Sequence, residues 1–168
     1  ELFRPKKIKS KSFNFLIIGR MVEKKGFEYG IEAFGILVKK YPNKPMFLNL
    51  VGDGILYEEL ELLVKRLGLE ELVSFYGKLP QEKVIGIIQS TDVLLAPSIT
   101  AKDGDVEGLP VSILEAAACE VPIIATDHSA NSEVISEGAG LLVKEASVKE
   151  LSEKMILLIR DKSMVERL

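Results

Sequence analysis

Residues 13–54 read FNFLIIGRMVEKKGFEYGIEAFGILVKKYPNKPMFLNLVGDG. Phe13–Ile18 is a short apolar run closed by Gly19, the pattern of a strand buried on both faces. From residue 27 the period changes. Phe27, Ile31, Phe34, Leu37 or Val38, and Tyr41 recur in steps of three and four, which lays one apolar stripe along a helix. Pro42 and Pro45 stop it. Met46–Val51 is a second apolar run, closed by Gly52-Asp53-Gly54. Strand, helix and strand at this spacing form a unit whose two strands lie parallel.

The alternation continues outward. Tyr57–Leu67 carries a stripe through Leu60, Leu63, Val64 and Leu67 and ends at Gly68. Residues 72–76 read as a strand, Pro80 opens a helix over 81–89, and 92–96 is another strand. A long loop with many small and acidic residues spans 98–108. Pro110 opens a helix over 111–119, followed by a strand over 121–125, a helical turn over 131–136, a strand over 141–143 and a helix over 148–159. Six strands alternating with helices predict a parallel sheet covered on both faces, with ligands at the carboxyl ends of the strands.

The chain has 168 residues, 47% apolar and 28% charged, with a net charge of −3. That composition describes one folded domain and excludes a disordered or collagen-like chain. The acidic balance makes a poor nucleic-acid binder. Tryptophan is absent and aromatics are 7%, which argues against a base-stacking platform. One cysteine excludes an internal disulfide and a zinc cluster and fits a reducing cytosol. No apolar run approaches the roughly 18–20 residues that cross a bilayer, and the charged opening does not read as a signal peptide. Residues 1–12 carry Arg4, Lys6, Lys7, Lys9 and Lys11 and read as a linker or edge segment, with a membrane or acidic-partner patch as the other reading.

Three loops after strands hold candidate chemistry. The first, residues 19–26, offers the fork of Arg20 and the point charge of Lys25 beside a helix start, which suits a diphosphate; a charged surface turn would look the same. The second, Gly52-Asp53-Gly54, lacks the third glycine of a dinucleotide fingerprint because Tyr57 stands there. Its glycines serve positive φ angles or close approach of a ligand, or a plain tight turn.

The third loop carries Glu107 and Glu115, eight residues apart across a helix start. Eight helical residues rise about 12 Å, whereas paired glycosidase carboxylates stand about 5–9.5 Å apart. The two glutamates therefore suit the two ends of an extended ligand. Between them the amides of Leu109 and Val111 lie near the first turn and could receive an anion. This layout puts a sugar by Glu107, phosphates at the helix start and a ribose by Glu115.

Taken together these residues resemble the carboxyl-terminal, donor-binding domain of family-four retaining glycosyltransferases (group 1). The features that carry the resemblance, in order, are Glu1-Leu2-Phe3-Arg4-Pro5, Gly19-Arg20 with Glu23-Lys24-Lys25-Gly26, Gly52-Asp53-Gly54, Phe75-Tyr76-Gly77, Pro97-Ser98, the seven-residue interval from Glu107 to Glu115, the stretch from Ala125-Thr126 to Glu133, and Gly140-Leu141-Leu142-Val143. Gly104-Asp105 and His128-Ser129 look closest to a bacterial subgroup that builds exopolysaccharides.

The resemblance implies a Rossmann-like three-layer α/β/α fold with a six-stranded, mainly parallel sheet, one half of a GT-B enzyme. The donor domain would span 13–168, cut short at its carboxyl end, with the amino-terminal acceptor domain absent. It implies that Glu107, Arg20 and Lys25 are the catalytic residues. Arg20 and Lys25 would neutralise the nucleotide diphosphate beside Gly19, Gly52 and Gly54. Glu107 would meet the donor sugar, Leu109 and Val111 the phosphate, Glu115 the ribose, and the backbone around Gly77, Lys78 and Leu79 the base, with Gly108 also among the donor-binding residues. The donor would be a UDP- or GDP-sugar used without metal, and the acceptor a glycan or lipid-linked glycan, in the cytoplasm or at the inner face of the membrane. A fragment of this extent is expected to bind donor and transfer little. An epimerase-like or phosphorylase half and a non-catalytic nucleotide-binding module stand as the alternatives.

Asp103-Gly104-Asp105 spells the D-x-D of a different, metal-dependent transferase fold and is discounted here for its architecture. Glu120, Ala130 and Ser132 depart from the family pattern. A glutamate at a left-handed position costs about 1 kcal/mol, so the turn at Glu120 is expected to differ. His128 reads as a solvated loop residue, with contact to donor or acceptor as the other reading. Cys119, Phe27, Phe34 and Phe75 read as core.

Overall fold

The computed structural model describes residues 11–128 and 130–168. Its strands are β1 (Phe13–Ile18), β2 (Met46–Val51), β3 (Val73–Phe75), β4 (Val93–Ala96), β5 (Ile123–Thr126) and β6 (Gly140–Val143). The helices are α1 (Phe27–Lys40), α2 (Tyr57–Leu67), α3 (Gln81–Gln89), α4 (Val111–Ala118), α5 (Asn131–Val134), α6 (Val148–Arg160) and α7 (Lys162–Arg167). The basic opening segment lies outside the described residues apart from Lys11 and Ser12. So does Ser129.

The strands form one sheet in the order β3-β2-β1-β4-β5-β6, and every pairing is parallel. This is the doubly wound order, in which the connections reverse direction between β1 and β4 and open a crevice at the carboxyl ends of those two strands. The loops from β1 to α1 and from β4 to α4 therefore border one crevice.

Side-chain alternation builds the layers. Phe13, Phe15 and Ile17 of β1 join a core with α1, α2 and α6. Leu16, one residue out of phase, joins a second core with α3 and α4 on the other face. Burial on both faces is why the central strands β1, β4 and β5 are mostly apolar. Phe15 and Phe34 are fully buried and meet edge to face at 6.1 Å, a geometry that adds about 0.5–1.5 kcal/mol to the area they bury. Phe27 and Cys119 are core as expected, and Phe75 is half-buried beside Tyr57.

Several boundaries differ from the sequence reading. β5 starts at Ile123 rather than residue 121. Pro122 has no N–H to give a ladder, and the Val121 amide turns back to the Ala116 carbonyl at 3.0 Å. β3 is three residues long and lies at the sheet edge. α7 was not expected; Asp161 starts it by accepting the Met164 amide at 3.1 Å. Glu120 takes φ 55, so the left-handed turn after α4 is kept and the glutamate carries its strain.

Candidate functional site

Four loops at the carboxyl edge of the sheet are joined backbone to backbone. Met21, fully buried, gives its amide to the Asp53 carbonyl at 2.9 Å and accepts the Leu56 amide at 3.0 Å. The Gly52 amide reaches the Gly77 carbonyl at 2.9 Å, and the Ile99 amide reaches the Lys24 carbonyl at 2.9 Å. The glycines make these contacts possible. A Cβ on Gly52 would lie 1.8 Å from the Gly19 carbonyl oxygen, one on Gly54 2.4 Å from that of Met21, and one on Gly26 2.0 Å from that of Pro97. Gly26 also has φ 60, a left-handed angle that ends the turn Glu23–Lys25 and opens α1. Thus the close approach expected at Gly52 and Gly54 is to the first loop.

This stitching sets the positions of the candidate side chains. Lys25 lies along Gly19, where an added Cβ would meet the lysine stem at 3.2 Å. Its ammonium stands 3.0 Å from Glu107 Oε2, with side-chain exposures of 16% and 17%. No aligned hydrogen bond reaches that oxygen among the described residues. The two groups attract chiefly as charges, and Glu107 keeps unused accepting capacity. Lys24 pairs with Asp105 at 3.0 Å. Asp105 also gives its amide to Asp103 Oδ1 at 2.9 Å. Both aspartates of the D-x-D are therefore used within this loop system, and among the described residues no three His, Cys, Asp or Glu side chains gather as a metal site.

Helix α4 begins at Val111 with Pro110 as its cap and no side chain capping its first amides. Val111 and Leu114 are exposed there, and so are Gly108 and, in the first loop, Arg20. Leu109 is half-buried. Burial pushes the Glu115 carboxyl up, opposed by a hydrogen bond from the Gln81 side chain. Glu107 thus faces Lys25 while Glu115 faces Gln81: the two glutamates serve different ends of the site. The loop after β3 holds Gly77 at φ 62 with exposed Lys78 and half-buried Leu79.

The histidine expectation is overturned. His128 is 5% exposed and its Nδ1 is paired with Glu145. Glu145 also accepts the Thr100 amide at 2.8 Å. These partners stand 17 and 45 residues from Glu145 along the chain, and no local motif joins them. Gln81 beside Glu115 was likewise missed, having only its helix-start position as a signal.

Known proteins are similar to this chain in sequence and fold. The chain is 32% identical over 153 residues to a putative colanic acid biosynthesis glycosyltransferase, WcaL, of Escherichia coli K12. The match covers 90% of this chain and 37% of WcaL, so the chain spans little more than a third of that relative's length. The crystal structure of the carboxyl-terminal domain of a group 1 glycosyl transferase (LpcC) from Francisella tularensis superposes with a TM-score of 0.83 at 25% identity, covering 99% of this chain and 89% of that one. Anabaena HepE in complex with UDP-glucose gives a TM-score of 0.79 at 25% identity, covering 93% of this chain and 41% of HepE. A family described as glycosyl transferases group 1 matches residues 1–168, and the chain belongs to that family.

Proposed function

We propose that this chain is the nucleotide-sugar-binding domain of a retaining glycosyltransferase that passes a hexose to a glycan or lipid-linked acceptor. The observation that carries the reading is the Lys25–Glu107 pair at the β1/β4 crevice. Transfer breaks the bond between the sugar and the diphosphate, and negative charge grows on the departing oxygen. Groups aimed at that charge in a site partly shielded from water lower the barrier most. Lys25, Arg20 and the uncapped start of α4 are such groups, with the amides of Leu109 and Val111 nearest.

In this reading Glu107 accepts hydrogen bonds from donor-sugar hydroxyls and so orients the reacting carbon. Glu115 takes the ribose hydroxyls, and the backbone of Gly77–Leu79 takes the base. Gly19, Gly52 and Gly54 hold the floor under the diphosphate, and Gly108 leaves room above it. UDP-glucose in HepE supports a nucleotide sugar as donor; the choice between UDP and GDP belongs to the measurement. The name of WcaL supports polysaccharide biosynthesis; in this reading the chain works in the cytoplasm or at the inner face of the membrane. No helix among the described residues is long and apolar enough to cross a membrane.

Calorimetric titration with UDP, GDP and their sugar conjugates, with and without EDTA, tests this. We expect one base to bind, EDTA to change nothing, and Lys25→Ala or Arg20→Ala to weaken binding about tenfold or more, since each removes a charge-assisted contact. Binding that survives both substitutions and Glu115→Ala would refute the assignment.

A further inference from the structure

The strap between β4 and α4 carries Glu107, and it is held from outside the crevice. Thr126 gives its hydroxyl to the Ser98 carbonyl at 2.6 Å, and Ile99 gives its amide to Lys24 at 2.9 Å. Between Ile99 and the turn that closes with the Ala101 amide on Asp105 stands Thr100. Its amide is taken by one carboxylate oxygen of Glu145, in the loop after β6. The other oxygen meets His128 Nδ1, in the loop after β5.

His128 is also held through its backbone, while its Nε2 is buried with no hydrogen-bond partner among the described residues. Its amide donates to the Thr126 carbonyl at 2.8 Å and its carbonyl accepts the Asn131 amide at 3.1 Å. Asn131 is fully buried and gives its side-chain amide to the Thr126 carbonyl. Burial pushes the Glu145 carboxyl up, but the Thr100 amide and His128 outweigh it and hold the carboxyl below its ordinary range. The carboxylate is thus ionised where it grips the strap.

We propose that His128 and Glu145 are positioning residues: a rigid histidine aims a carboxylate that clamps Thr100, and through the strap sets Glu107 against Lys25. The consequence for ligand binding rests on the donor-site reading above; the clamp itself does not. Among the described residues neither side chain is hydrogen-bonded or paired with Lys25, Arg20, Glu107 or Glu115. Their loss should therefore separate the sugar from the nucleotide. Contacts through Lys25 and Glu115 persist, while the advantage that Glu107 gives a sugar conjugate disappears.

Two measurements on Glu145→Ala and His128→Gln test this. Amide hydrogen exchange should show Thr100, Ala101, Gly104 and Asp105 exchanging about tenfold faster or more, with β1 and β4 unchanged. Titration with UDP and UDP-glucose (GDP and GDP-mannose if the guanine base is the one bound) should show the diphosphate affinity no weaker than in the parent and the preference for the conjugate lost. Parent exchange rates at 100–105 in a folded variant would overturn the clamp. So would equal weakening of both ligands, which marks general damage. If Glu145→Ala does not fold, His128→Gln, which keeps the Glu145 carboxylate but removes the imidazole that aims it at Thr100, decides by the same readouts. If the parent chain binds neither nucleotide, the donor reading fails while the exchange data still decide the clamp.

Discussion

Replacing Glu107 by glutamine should tighten binding of the free nucleoside diphosphate. The Lys25 ammonium and the Glu107 carboxylate stand 3.0 Å apart, a gross attraction of about 5 kcal/mol at an effective dielectric of about 20. Both side chains are more than four-fifths buried, so desolvation of the pair offsets most of that. The net worth of the contact is about 1–2 kcal/mol, above the exposed-pair range because burial limits screening. An arriving diphosphate must share Lys25 with the carboxylate and also sit near its negative charge. Glutamine keeps the shape and removes both costs. UDP or GDP should then bind about 5–30-fold tighter by calorimetry. The preference for the sugar conjugate should shrink, because the sugar hydroxyls lose a charged acceptor. The gain should fall as salt rises. A Glu107→Gln variant with native circular dichroism and unchanged or weaker diphosphate affinity would refute the reasoning.

Glu120→Gly should raise stability by about 1 kcal/mol, a Tm gain of about 2–4 °C, since φ 55 strains an exposed glutamate; an unchanged Tm in thermal melts would contradict it. Gly26→Ala should cost more than about 2 kcal/mol, because its Cβ would lie 2.0 Å from the Pro97 oxygen at a left-handed φ; urea melts read it directly. Glu115 has a raised folded-state pKa from burial. Its native form holds the proton to higher pH than its unfolded form, so stability falls as pH rises through the folded value. Glu115→Gln should therefore be more stable than the parent at neutral pH, and the gain should vanish below the ordinary glutamate pKa, by denaturant melts across pH.

The layers were legible in the sequence because the strands are mostly apolar runs and the long helices carry one stripe. Strand ends were less so. Val121-Pro122 is as apolar as the strand it precedes, and only the missing proline N–H moves the boundary. The Lys25–Glu107 side of the site was visible because each residue sits in a loop after a strand, where the topology gathers them. The His128–Glu145–Thr100 group was not. Its members come from three loops whose approach depends on the strand order, and a lone histidine in a polar stretch gives no sign that it will be buried. Glu120 shows the converse: the residue type argued against a left-handed turn, yet the chain makes one there and closes it with the Val121 amide on the Ala116 carbonyl.

The backbone joints at Gly26, Gly52 and Gly54 also limit how this surface can change. Because the first, second and fourth loops touch through carbonyl oxygens, lengthening any one of them displaces the others. New ligand preferences are then open chiefly to residues on the rim, such as Arg20, Lys78 and Val106, which are exposed and leave those joints intact. For redesign this is a division of labour: a library that randomises the rim and spares the joints should stay folded in most members, and one that adds residues at the joints should not.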